Sequence, residues 1–96
     1  MSPLKRKKLS KIRSQLDRLD NSFIRLIKKR TNLVKKVLAL KESKGQIVDK
    51  KRIKIILSNI KKKSMKNNID PKITNRIWKN MIWSYIDYER RNFKKK

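Results

Sequence analysis

Apolar side chains recur at alternating steps of four and three along residues 12–40: Ile12, Leu16, Leu19, Phe23, Leu26, Leu33, Val37 and Leu40. This spacing is the seam of one long packed helix, and no strand pattern competes with it. The slot between Leu26 and Leu33 is filled by Arg30. A second stripe runs beside the first through Ile24, Ile27, Thr31, Val34 and Leu38, and ends on Lys41. Arg30 and Lys41 are about three helical turns apart, so on one helix they point the same way, roughly 16 Å apart along the axis. Cations aimed into apolar surface need anions, because a buried unpaired charge is very costly. The chain holds 7 acidic residues against 31 lysines and arginines, a net charge of +24. The anions are therefore sought on a ligand.

Ninety-six residues make one small domain. With no cysteine and no histidine, the chain has no disulfide, no thiolate chemistry, no zinc site of the usual kind and no histidine-based general base. The acids are Asp17, Asp20, Glu42, Asp49, Asp70, Asp87 and Glu89. Asp49 and Asp70 read as helix N-caps, which leaves few carboxylates for acid–base work. An enzyme built this way works by positioning and positive charge, with no cofactor. No apolar run reaches membrane length and no apolar segment follows the basic N-terminus, so a cytoplasmic chain with no membrane contact is expected. Lysine, isoleucine and asparagine are all products of A/T-rich codons, so part of the charge is solvated surface. The rest suits anionic partners, either small metabolites or nucleic acid.

One glycine and two prolines point to helices. The first is expected from about Leu9 to about Ser43, ended by Gly45. The second covers Lys50 to about Lys66, with Arg52, Ile53, Ile56, Leu57 and Ile60 near its inner face. Asn67 and Asn68 break it, and Asp70 followed by Pro71 starts a third helix that runs to about Phe93. Residues 1–8 read as a disordered basic arm, residues 9–93 as the helical domain, and residues 94–96 as a frayed basic tail. Two short helices cannot cover both stripes of a helix about 50 Å long. The expected solution is antiparallel pairing of two long helices across a twofold axis, in an all-α homodimer.

The chain resembles the all-helical chorismate mutases, the AroQ class, over nearly its whole length. The matching stretches are IRSQLDRLD at 12–20, IRLIKKRTNLVKKVLALK at 24–41, VDKKR at 48–52 and IDPKITNRIWKNMIWSYIDYE at 69–89. At the start of the second helix and the end of the third it also resembles the related isochorismate pyruvate lyases. The resemblance implies three helices in an intertwined homodimer. It implies that Arg13 crosses from the neighbouring subunit to a substrate carboxylate, and that Arg30 binds a carboxylate within the subunit. Lys41 would meet the ether oxygen and a carboxylate, Asp49 and Arg52 would line the site near the substrate hydroxyl and ring, and Glu89 would face the ether oxygen. Tyr85 falls where many members carry serine or threonine, with Ser84 beside it. Two positions depart from the pattern. Ile53 stands where many mutases have glutamate, as in the lyase-like relatives. Glu89 stands where glutamine is common, and a carboxylate donates a hydrogen bond only when protonated.

The implied reaction, chorismate to prephenate on the route to phenylalanine and tyrosine, is pericyclic and needs neither nucleophile nor metal. It needs a dianion folded into a compact conformer and cations where charge develops. Arginine forks suit the carboxylates, and lysine suits a single oxygen. Plainer roles stand beside these. Arg30 could set helix register, Lys41 could lie along the surface, Asp49 could simply cap, Arg52 could pair with Asp49, and Glu89 could pair with a neighbouring cation. Trp78 and Trp83 read as packing residues. A lyase acting on isochorismate is the nearest rival. A helical nucleic-acid-binding protein is the rival of another class, motivated by the net charge and by the cationic run at residues 5–8, although the lysines are spread over all faces and no reading-helix motif is present.

Overall fold

The computed structural model describes residues 1–94. In chain order the elements are α1 (Pro3–Leu40), a single 3-10 turn (Lys44–Gln46), α2 (Lys50–Lys66) and α3 (Pro71–Asn92). Among the described residues there is no strand, as the expected all-α class requires. No helix is long and apolar enough to cross a membrane. The chain forms two compact units, residues 1–33 and the remainder from Val34 onward.

The first unit is most of α1. It begins at Pro3, so residues 3–8, expected as a disordered arm, are helical. The cause is local. Ser2 accepts the Lys5 backbone N–H on its Oγ at 3.2 Å and the Arg6 N–H on its carbonyl at 2.9 Å. Pro3 takes the first helical position, where a missing N–H costs nothing. No residue of α1 is buried. The seam side chains stand open, with Phe23 60% and Leu26 59% exposed and Ile12, Leu16, Leu19 and Leu33 similar. Against this, Arg30 is half-buried and its Nε is shielded from solvent.

The second unit carries the end of α1, the loop and the α2–α3 hairpin, whose two helices pack on one another. α1 stops at Leu40, three residues before the expected end, and the Lys41 N–H closes on the Leu38 carbonyl at 3.1 Å. Gln46 Oε1 then collects the N–H groups of Glu42 (2.6 Å) and Ser43 (3.3 Å). Gly45 has no left-handed backbone, so its placement in this loop owes nothing to the conformational freedom of glycine. The Asp49 carboxylate accepts the Arg52 backbone N–H at 3.0 Å and starts α2. The Asp70 carboxylate accepts the Lys72 N–H at 2.9 Å, with Pro71 next, and starts α3. Both N-caps fall where the sequence signals them.

Between α2 and α3 the chain turns on a Schellman motif. Asn68 adopts the left-handed conformation (φ 55°). Its N–H reaches the Met65 carbonyl at 3.2 Å, and the Ile69 N–H reaches the Ser64 carbonyl at 2.8 Å. Ser64, 3% exposed, ties the hairpin by donating to the Ile60 carbonyl at 2.6 Å and sharing a 2.7 Å hydrogen bond with Thr74 Oγ1. The apolar core is Ile47, Ile82 and Ile86, with Val48, Ile53, Ile56, Leu57 and Phe93 packed against it. One feature departs from the expected inner face of α2, since Arg52 is exposed. On α3, Ile73 and Ile77 are both more than half exposed.

Candidate active site

The core stripe of α3 fixes one functional side chain by simple helical arithmetic. Ile82, Ile86 and Glu89 follow steps of four and three, so all three project from one face. Ile82 and Ile86 are core residues, and Glu89 is buried with them, only 6% exposed. A carboxylate there must be paired or be very costly. Its partner comes from the other end of the unit's sequence. Lys41, the first residue past α1, places Nζ 3.1 Å from Glu89 Oε1 and 3.0 Å from Oε2. The Lys41 side chain is itself largely covered, at 18% exposure. An ammonium carries three donors, of which Glu89 takes two.

The two residues meet although 48 positions separate them, and both are among the candidates named from sequence. The others lie as follows. Asp49 and Arg52 are both exposed at the start of α2, and the bond Asp49 takes is the Arg52 backbone N–H, so its structural role as a cap is real. Tyr85 is half-buried one turn before Glu89 on nearly the same face. Ser84 is exposed and donates its Oγ to the Asn80 carbonyl at 2.7 Å; by helical geometry it points well away from the Glu89 stripe. Ile53 is half-buried against the Ile47, Ile82 and Ile86 cluster. Trp83 is 51% exposed, which departs from the packing role expected for it, whereas Trp78 is half-buried.

In the first unit, Arg13 is exposed and Arg30 is half-buried. Both belong to the single helix α1. At 1.5 Å per residue they stand about 26 Å apart along its axis. One small metabolite cannot touch both arginines of the same chain.

Among the described residues, no group of three or more His, Cys, Asp or Glu side chains could hold a metal. What the second unit brings together is one covered ammonium and one buried carboxylate. An ammonium held in this way can stabilise negative charge on an oxygen. Sequence reasoning overlooked the buried Ser64–Thr74 bond and the loop residue Ile47, which is 4% exposed. The signal for Ile47 was available, since the pair Ile47–Val48 is apolar in a loop otherwise made of polar residues and glycine.

Comparison with known proteins bears on the same residues. A family model described as chorismate mutase type II matches residues 12–90. A protein named chorismate mutase from Methanocaldococcus jannaschii is 36% identical over 76 residues, covering 78% of this chain and 77% of that protein. No solved structure matches.

Proposed function

This chain belongs to the chorismate mutase type II family and its activity is the rearrangement of chorismate to prephenate, a step of aromatic amino acid biosynthesis; we propose that Lys41 and Glu89 form the reacting end of its site. In the reaction one carbon–oxygen bond breaks and one carbon–carbon bond forms within a single molecule. No proton has to leave the substrate. Catalysis then consists of holding the reactive conformer and stabilising the charge that grows on the ether oxygen.

The observation that carries this reading is the covered Lys41–Glu89 pair, an ammonium and a carboxylate held together beside an apolar core. Lys41 donates to the ether oxygen and to a substrate carboxylate, and the dianion competes with Glu89 for its protons. Glu89 holds the Lys41 ammonium in place for that oxygen. Arg30 binds a carboxylate from within the subunit. Asp49, Arg52 and Tyr85 line the rest of the site, and Ser84 stays outside it.

The site is completed by a second copy of the chain. Arg13 is too far along α1 from Arg30 to serve the same substrate, and the seam of α1 is open along its length. Antiparallel pairing of two α1 helices covers that seam and brings Arg13 of one subunit to the site of the other. Such an interface removes from water an apolar strip larger than single soluble chains usually expose.

The lyase alternative rested on Ile53. Its packing against Ile82 and Ile86 gives it a structural reason to be apolar, whichever substrate is bound. Purified protein incubated separately with chorismate and with isochorismate should yield prephenate from the first. Salicylate from isochorismate, with chorismate left intact, would overturn the proposal.

A further inference from the structure

Rearranging a dianion occupies three or four cations, and the chain has 31. The densest group lies at the start of α1, among residues not assigned to the site. Lys5, Arg6, Lys7, Lys8 and Lys11 precede the stretch matched by the family model. All five are helical and exposed. At about 100° per residue Lys5, Lys7, Lys8 and Lys11 fall within about 160° of the circumference of α1, and Arg6 points away from them. Such a crowd of charge is poor design for helix stability alone. Lys5 and Lys8, Lys7 and Lys11, and Lys8 and Lys11 are like charges three or four positions apart, each pair unfavourable. They also crowd the positive end of the helix, with no acid in the first turn to offset them.

We propose that residues 5–11 of α1 are a docking surface for the sugar–phosphate backbone of a double-helical nucleic acid, formed by side chains not assigned to the mutase site. The argument is charge complementarity. Four cations share one face along roughly 10 Å of helix, about one per 2 Å, which approaches the one phosphate per ~1.7 Å of duplex axis. A membrane surface fits less well, because an interfacial helix needs one continuous apolar face and here Leu4 falls inside the cationic arc. An acidic protein partner would seat apolar anchors at the centre of its footprint, and here Leu4 and Leu9 are separated by four consecutive cations. Phosphate contacts carry no base recognition, so binding is independent of base sequence.

The test uses the full chain, a labelled DNA duplex, a single-stranded RNA of equal length, polyglutamate and phosphatidylserine vesicles. Binding is followed against salt concentration for the parent, for a variant with Lys5, Arg6, Lys7 and Lys8 all changed to Gln, and for a second variant with Lys61, Lys62 and Lys63 changed to Gln. The second set is an exposed basic cluster on α2 and reports diffuse charge. Duplex should bind the parent, and the slope of log affinity against log salt should fall by about 3 in the first variant. The second variant should change it far less per charge removed, and mutase turnover should persist in the first, showing that it is folded. The duplex should bind more tightly than the single-stranded RNA, and the reverse order overturns the proposal. An unchanged slope in the first variant overturns the proposal. So does an equal loss per charge in the second, or tighter binding of polyglutamate or vesicles than of nucleic acid.

Discussion

Lys41 and Glu89 hold each other in a geometry that is costly to disturb from one side only. Removing the ammonium by Lys41→Ala leaves a carboxylate that is 6% exposed with its charge unmatched. Breaking a buried pair in this way costs about 3 kcal/mol, whereas deleting both charges costs much less. Urea unfolding should therefore show Lys41→Ala as less stable than the Lys41→Ala, Glu89→Ala double variant. Equal stabilities would show that the pair is not coupled. Lys41→Ala should also lose turnover by about a hundredfold or more, the usual consequence of deleting a preorganised donor to developing oxygen charge. Glu89 makes a separate prediction. As a carboxylate it accepts both bonds from Lys41 and cannot donate to an ether oxygen. Glu89→Gln places a permanent donor at that position and should keep turnover, whereas Glu89→Ala, which leaves no polar group there, should lose it. Turnover retained by both variants would leave the work to Lys41 alone.

At the scale of elements, the α2–α3 hairpin depends on one backbone conformation. Asn68 is the single non-glycine residue with positive φ among the described residues. Asn68→Ala should destabilise the protein by about 1 kcal/mol, while Asn68→Gly should be neutral or better, since only a side chain with a Cβ resists this region. Thermal melts of the two variants decide it, and equal melting points would mean that the turn does not set the hairpin. Gly45 makes the opposite case. A Cβ built there meets only Ser43 Oγ at 3.8 Å, so Gly45→Ala should fold normally. These two positions show where the sequence was legible. Asp49 and Asp70–Pro71 announced helix starts that the structure bears out, because caps act over three or four residues and need no tertiary information. Ser2–Pro3 carries the same signal as Asp70–Pro71 and was masked by the charge around it, which reads as disorder when composition is weighed before capping. The end of α1 was misjudged in the other direction. The break at Leu40 comes from Gln46 Oε1 gathering the N–H groups of Glu42 and Ser43, a side-chain bond that no periodicity encodes.

For the molecule as a whole, the seam of α1 is the largest unresolved debt of the single chain: the same apolar steps that identify the helix remain exposed along it. Periodicity reveals that such a face exists, but the partner that covers it is not written in the spacing, and the same limit applies to the site. The meeting of Lys41 with Glu89 was legible through family resemblance, since residues so far apart in sequence share no local pattern. The crossing of Arg13 between subunits is likewise implied by the resemblance, and length is consistent with it, because a continuous helix keeps Arg13 about 26 Å from Arg30. A mixing experiment isolates this point. Arg13→Ala and Arg30→Ala subunits should each be nearly inactive alone. In a heterodimer, the site that takes Arg30 from the Arg13→Ala subunit receives an intact Arg13 from the other chain, and the second site lacks both. Random exchange at equal concentrations makes about half the dimers mixed, so about one quarter of the parental activity should return for a twofold dimer with shared sites. Exchange itself can be followed by energy transfer between differently labelled subunits. If the subunits exchange fully and activity stays at the level of the single variants, Arg13 does not cross between chains, and each site must be completed by its own subunit.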